Sequence, residues 1–504
     1  MYKSIIAVIV LAAGGASVPA VAAGDDPATI VTIYSQSGPG GVSPDLYRPL
    51  PGRGGWAGSG VPGYAVIRED RDLTLSSGRS SLQFTDVAAL IDPTTVRFRS
   101  LTDPDGTRVL EQDFRFDLVS TDRLLERYLD RPVTVYREDG RLTGTLMSTS
   151  GGLVLGMEDG TVEVLREYQR VAFPELPGGL ITRPTLVWDL LAERDGRHRT
   201  RVAYQTAGIT WWADYNFTWH EGRDANSGTL DVNGWVSIVN QSGASYEDAR
   251  LKLIAGDVQR VAEPGYADRV GKAMLTSVME DAAGFEEKSF FEFHLYTLGR
   301  DATLPDRSTK QLELFPAASG VPARKVLVYR GARHFTAYPR PRIERDYGVA
   351  SNRKVDVYIE FENRAADGLG MPLPAGRIRV SQLDEADGSL EFIGEDTIDH
   401  TPKNEDVRIR LGSAFDVLGE RRQTDYEVDS RGHWLEEEFE IVVTNRKEEA
   451  VDVLVQENLH RWRNWEILSS SAEWQKMDAG SIRFPVTVAP DGQETVRYRV
   501  RYTW

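Results

Sequence analysis

Short runs in which apolar and polar residues alternate, separated by tight-turn dipeptides, constrain this 504-residue chain more than any other feature. TVEVLRE, VDVYIEF and FEIVVTN are examples. A period of two sends successive side chains to opposite faces, which suits a half-buried strand and no helix. Seven Asp-Gly dipeptides, at Asp105, Asp139, Asp159, Asp195, Asp367, Asp387 and Asp491, mark the breaks. Asp-Gly tolerates the positive φ angles that tight hairpins need. The pattern predicts an all-β, multidomain chain of sandwich modules with one small barrel and two short helices. The helices are expected at Asp122–Leu129 and over residues 271–287.

The richest alternating segment is GITWWADYNFTWH, Gly208 to His220. Ile209, Trp211, Ala213, Tyr215, Phe217 and Trp219 share one face, expected to be core. The other face is polar except for Trp212. Trp212 is therefore expected either to pack under a neighbouring part of the chain or to contact a partner.

The N-terminus places Lys3 before an apolar run and the small-residue pattern Ala20-Val21-Ala22, the layout of a signal peptide cleaved near Ala22 or Ala23. Export to the periplasm or medium is the expected localisation, and no later segment reads as a transmembrane helix. The chain has no Cys, which removes thiol catalysis and thiolate metal sites. A net charge of −17 argues against nucleic acid as a partner. The expected partner is an envelope protein or glycan.

Five regions are expected. Residues 1–23 are the signal peptide. Residues 24–117 form an N-terminal β region with a Gly/Pro-rich loop over 37–63. A short helix and five short strands make a compact unit over 118–175, similar to an Sm-like small barrel. Such barrels often bind RNA, but the export signal and the acidic balance argue against that here. Central and C-terminal sandwiches follow over 176–345 and 346–504. Within them Asn240, Asn363 and Asn445 each end a strand, with apolar residues two and four positions earlier. They read as marks of two or three related modules, or as coincidence among similar strands.

GITWWADYNFTW, GWVSIVNQSGASYEDARLKLIAGDVQRV, MPLPAGRIRV and the stretch from NWEILSSS to the C-terminus resemble a bacterial family of exported proteins without an assigned activity, distantly related to mucoidy inhibitor A-type proteins. The resemblance covers most of the mature chain. It implies an envelope protein and supplies no catalytic residues.

Motifs for chemistry are sparse. The seven His form no metal-binding helix pair, no cofactor motif is present, and no G-x-S-x-G elbow occurs. The Glu436–Glu438 run reads as the wet edge of a strand. Two binding candidates stand out. Arg324, Lys325, Arg330 and Arg333 begin a positive island that runs to Arg345, suited to an anionic ligand or to an acidic part of the same protein. RWRNW, with Arg461 and Trp462, combines guanidinium and indole groups that stack on sugars or on one another. The C-terminal TVRYRVRYTW carries an apolar row, either core-facing or lipid-facing. The expected function is a non-catalytic binding or assembly module of the cell envelope. The alternatives are an envelope enzyme acting on glycans and an outer-membrane barrel.

Overall fold

The computed structural model describes residues 28–504 except 36, 37, 39, 48–59, 117–119, 139, 176, 178, 179, 257, 259–284, 292, 333–339, 350 and 385. The chain is all-β, with helix limited to a few short turns. In order, the strands are β1 (Thr29–Tyr34), β2 (Tyr64–Leu75), β3 (Gly78–Thr85), β4 (Ile91–Ser100) and β5 (Thr107–Arg115). After helix α1 (Thr121–Arg127) come β6 (Pro132–Arg137), β7 (Gly140–Ser148), β8 (Leu153–Gly156), β9 (Val162–Leu165) and β10 (Arg170–Ala172). Then follow β11 (Thr185–Ala192), β12 (Gly196–Ala207), β13 (Ile209–Glu221), β14 (Ser227–Asn240), β15 (Tyr246–Ala255), β16 (Phe285–Phe290), β17 (Phe293–Leu304) and β18 (Ser308–Tyr329). The last third holds β19 (Lys354–Glu362), β20 (Gly376–Leu383), β21 (Leu390–Ile398), β22 (Asp406–Asp429), β23 (Trp434–Asn445), β24 (Val451–Asn458), β25 (Trp465–Ser470), β26 (Gln475–Lys476), β27 (Ser481–Val488) and β28 (Gln493–Thr503).

Five of the seven Asp-Gly glycines adopt positive φ, at Gly140, Gly160, Gly196, Gly368 and Gly388. The first expected helix forms, with Ser120 capping it by accepting the Arg123 N–H. The second expected helix lies mostly outside the described residues. Its last positions, Phe285–Glu287, are strand.

The strand pairings reveal an internal duplication. In the first half, β15 lies parallel to β1, which pairs with β2, which pairs with β12. In the second half, β24 lies parallel to the end of β18, which pairs with β19, which pairs with the start of β22. β15, β17 and β16 form one series of antiparallel neighbours, and β24, β27 and β26 form its counterpart. In the facing layer, β13 pairs with β14 and β14 with the start of β18, just as the end of β22 pairs with β23 and β23 with β28. The register agrees as well. Asn240 faces Ile209, the first residue of β13, and Asn445 faces Val417, where β22 enters the second layer.

Long strands that bend from one layer to the other knit the halves together. β18 belongs to the first module at its start and to the second at its end. β22 does in one strand what β12 and β13 do in two. The break between those two is Gly208, at φ +78, where a Cβ would press on the Gln241 carbonyl oxygen at 2.7 Å. Each module has its own core. Trp211, Tyr215, Phe217 and Tyr296 lie in the first, and Tyr329, Phe439, Phe484 and Tyr498 in the second.

The stretch read as an N-terminal β region builds no sheet alone. Its β1, β2 and β4 share a seven-stranded sheet with β12, β15, β16 and β17, and β3 and β5 flank β11. The 132–172 strands do form a sheet of their own, ordered β10-β6-β7-β8-β9, over a separate core that includes Leu125 and Tyr128 of the helix segment. At Gly144, inside the second of these strands, a Cβ would meet the Gly156 carbonyl oxygen at 2.9 Å, so the bend requires glycine. The C-terminal apolar row Val496, Tyr498, Val500 and Tyr502 faces the second core.

Candidate functional site

The duplication gives the sequence-flagged segments a common place. Residues 35–63 join β1 to β2, and residues 330–353 join the end of β18 to β19, so the Gly/Pro loop and most of the positive island are the same connection in the two modules. In each, described residues of the connection pack on the module's facing sheet or bond to buried groups beside it.

In the first module this loop covers Trp212. Val42, Val61, Leu46 and Tyr47 pack on the indole with Val239, leaving Trp212 6% exposed. Gly41, at φ +76, sits so close that a Cβ would be 3.1 Å from Trp212 Cδ1. The indole Nε1 donates to Asp214 Oδ2 at 2.7 Å, and the Ser237 hydroxyl donates to the same oxygen at 3.0 Å. Arg379 supplies the countercharge at 3.3 Å. Arg377 donates to the Gly40 carbonyl oxygen at 2.7 Å, and Gln241 to that of Leu46 at 2.9 Å. Trp212 thus belongs to a satisfied packing site.

In the second module the loop is held by buried charge. Arg461, 2% exposed, donates through Nε to Glu437 Oε2 at 2.7 Å. Its other nitrogens donate to the backbone oxygens of Arg342, Glu344, Arg345 and Tyr347. Arg421 bonds Glu457 Oε2 at 2.9 Å and donates to the Gly348 carbonyl oxygen at 2.8 Å. The Tyr498 hydroxyl donates to Glu457 at 2.5 Å. Burial opposes the Arg421 charge, yet Glu457 beside it drives its pKa upward. Burial raises the Glu437 carboxyl, with Arg461 opposing. Burial also drives His460 down to about 4, helped by Arg421 and Arg461 nearby. The Glu436–Glu438 run is therefore no wet edge: Glu436 and Glu437 are buried, because an arginine meets each of them. Both ion pairs are sealed and serve the fold.

Part of the rest of the positive island is engaged too. Arg324 pairs with Glu360 at 2.6 Å. Lys325 is half-buried, and burial together with nearby Lys447 lowers its pKa. Arg330 donates to Gln456 at 2.8 Å and to the Tyr358 hydroxyl at 2.9 Å. Arg333 lies outside the described residues.

Among the described residues Ser100 Oγ meets His198 Nδ1 at 3.0 Å, buried on both sides. With no path for a substrate, it is scaffold. Among the described residues no three His, Asp or Glu side chains gather as metal ligands.

A different face of RWRNW is open. Arg461 turns inward, Trp462 is half-buried against the second core, and Arg463 lies exposed with its guanidinium 4.7 Å from the Trp462 ring centre. Arg463, Asn464, Trp465 and Glu466 border a depression of about 470 Å³. Lys476 and Ala479 form its opposite wall, and Arg501 and Thr503 of β28 complete it. The Trp465 indole is fixed by donating to the Ala479 carbonyl oxygen at 2.8 Å. The Lys476 ammonium sits 4.8 Å from its ring centre, and Trp474 meets its edge at 6.3 Å.

Arg501 is neutralised by Glu436. Among the described residues no ion pair joins a carboxylate to Arg463 or Lys476, and the pKa of Asp478 is lowered by its Ser481 and Gly480 hydrogen bonds and, after them, by the Lys476 ammonium close by. The Asp478 carboxylate accepts from the Gly480 N–H at 2.7 Å and the Ser481 hydroxyl at 2.6 Å. Trp465 lies in the RWRNW run, whereas Lys476 and Arg501 escape notice in the sequence because they come from two other segments. The signal available was parity: two residues past Arg461, Arg463 shares its face only in a regular strand, and this stretch is a bend.

Comparison with protein-family models, with curated proteins and with solved structures finds no match.

Proposed function

We propose that this chain is an exported, non-catalytic binding module of the bacterial cell envelope, a distant relative of mucoidy inhibitor A-type proteins, and that the groove beside Trp465 is its contact site. One observation carries the reading. On a protein of net charge −17, Arg463 and Lys476 line one aromatic depression and neither is held in an ion pair among the described residues. Arg324, Arg421, Arg461 and Arg499, by contrast, are each paired with a carboxylate. Two cations left over in one place are available to a ligand. The duplicated modules, tied through β18 and β22, supply a rigid mount.

Fractionation of a Gram-negative host expressing the full chain tests this reading. The mature protein is expected in the periplasmic or envelope fraction and to co-sediment with isolated envelopes. An Arg463→Gln/Lys476→Gln variant is expected to stay in the supernatant. Cytoplasmic retention, or equal sedimentation of the variant, contradicts it.

A further inference from the structure

We infer that the groove recognises an acidic sugar, a ring bearing both a carboxylate and free hydroxyls. The inference rests on the groove being the contact site and adds the chemistry of what it takes. The lining is mixed. Arg463 and Lys476 offer two cations in the same lining as Trp465. Glu466 offers an acceptor in the same depression, and Asn464 and Thr503 offer both donors and acceptors.

A simple anion would satisfy the cations and be repelled by Glu466. A neutral sugar would use Glu466 and the amide but leave the cations unanswered. A peptide carboxylate would bring no row of hydroxyls. An acidic sugar answers all of them. Its carboxylate meets Arg463 and Lys476, its hydroxyls donate to Glu466, and its C–H surface lies along the indole of Trp465. The depression, about 470 Å³, falls in the general range of roughly 300–1,000 Å³ for small-molecule sites. It has room for one or two sugar rings, which makes an oligosaccharide end or a short internal segment the fitting ligand.

The experiment is a titration of the mature full chain, followed by calorimetry and by indole fluorescence. The probes are oligogalacturonate, hyaluronan hexasaccharide and sialyllactose, with cellohexaose as the neutral control and sodium acetate as the simple anion. At least one acidic sugar is expected to bind about tenfold or more tightly than cellohexaose or acetate, and to weaken as sodium chloride rises. Arg463→Gln/Lys476→Gln is expected to lose about tenfold or more in affinity for that sugar. Glu466→Gln is expected to weaken the acidic sugar while leaving acetate no weaker, since only the sugar has hydroxyls to donate. An unchanged thermal transition shows that the variants remain folded. If none of the acidic sugars binds, or cellohexaose binds as well, the inference fails. If envelope co-sedimentation still depends on Arg463 and Lys476, the binding-module reading survives that failure. If co-sedimentation is also indifferent to them, both fall.

Discussion

Asn240 and Asn445 hold the same place in the two modules and make the same bonds. Asn240 Nδ2 faces the carbonyl oxygens of Ala244, Leu304 and Pro305 at 2.9, 3.2 and 3.1 Å. Asn445 Nδ2 faces those of Glu449, Val488 and Ala489 at 2.8, 3.3 and 3.1 Å. Each side-chain oxygen accepts the N–H two residues on, from Ser242 and Lys447. One buried amide thus ties the loop after its own strand to the end of a strand in the opposite layer. Replacing either by Ala leaves buried carbonyls without donors, at a cost of about 1–3 kcal/mol. Urea unfolding of Asn240→Ala and Asn445→Ala should show similar losses. A negligible loss at one site would mean that the two amides are not equivalent.

Trp212 carries the first loop. Trp212→Ala removes the ring on which Val42, Val61 and Tyr47 pack, so a loss of about 3–5 kcal/mol is expected. Trp212→Phe keeps much of the packing and strips one donor from Asp214, which retains Ser237 and Arg379. Its loss should be clearly smaller. Equal losses would show that the Asp214 bond, rather than the ring, holds the loop.

The buried pair Arg421–Glu457 should behave as a unit. Glu457→Gln strands the guanidinium charge and is expected to cost about 3–5 kcal/mol. Arg421→Met with Glu457→Met should recover much of that loss, since neither charge is then left alone. A double-mutant cycle by denaturant unfolding reads the coupling. Additive single losses would contradict it.

His460 gives a pH dependence with a definite sign. Its folded pKa lies at about 4, below the ordinary 6.5, chiefly because it is buried. The unfolded chain therefore takes up a proton on His460 before the folded one does. Stability conferred by the neutral ring is full above pH 6.5 and falls as pH drops toward 4, by at most about 1.4 kcal/mol per pH unit. His460→Gln should remove that part of the slope when unfolding is followed across this range. An unchanged slope would place the ring in water.

Much of the fold can be read from alternation. It buries Trp211, Tyr215 and Phe217, and it puts the three Asn on inward faces, because a two-residue period fixes facing without knowledge of the partner strand. Pairing partners are another matter. β2 joins β12 across more than a hundred residues, and nothing local encodes that choice. Charged runs mislead for the same reason. Glu436 and Glu437 look wet until Arg499, Arg501 and Arg461 arrive from distant strands. The groove is assembled likewise, from a bend and the start of β25, a two-residue strand and the C-terminal strand, so of the RWRNW run the sequence offered Arg461 and Trp462 where the depression is lined by Arg463 and Trp465.

Hydrogen exchange of the mature chain, with and without isolated cell envelopes, tests the location of the working surface most directly. A groove-centred interaction predicts added protection at 463–479 and 499–503, and none over 40–47 or 340–349. Protection confined to those two capping loops, with the Trp465 region unchanged, would contradict it.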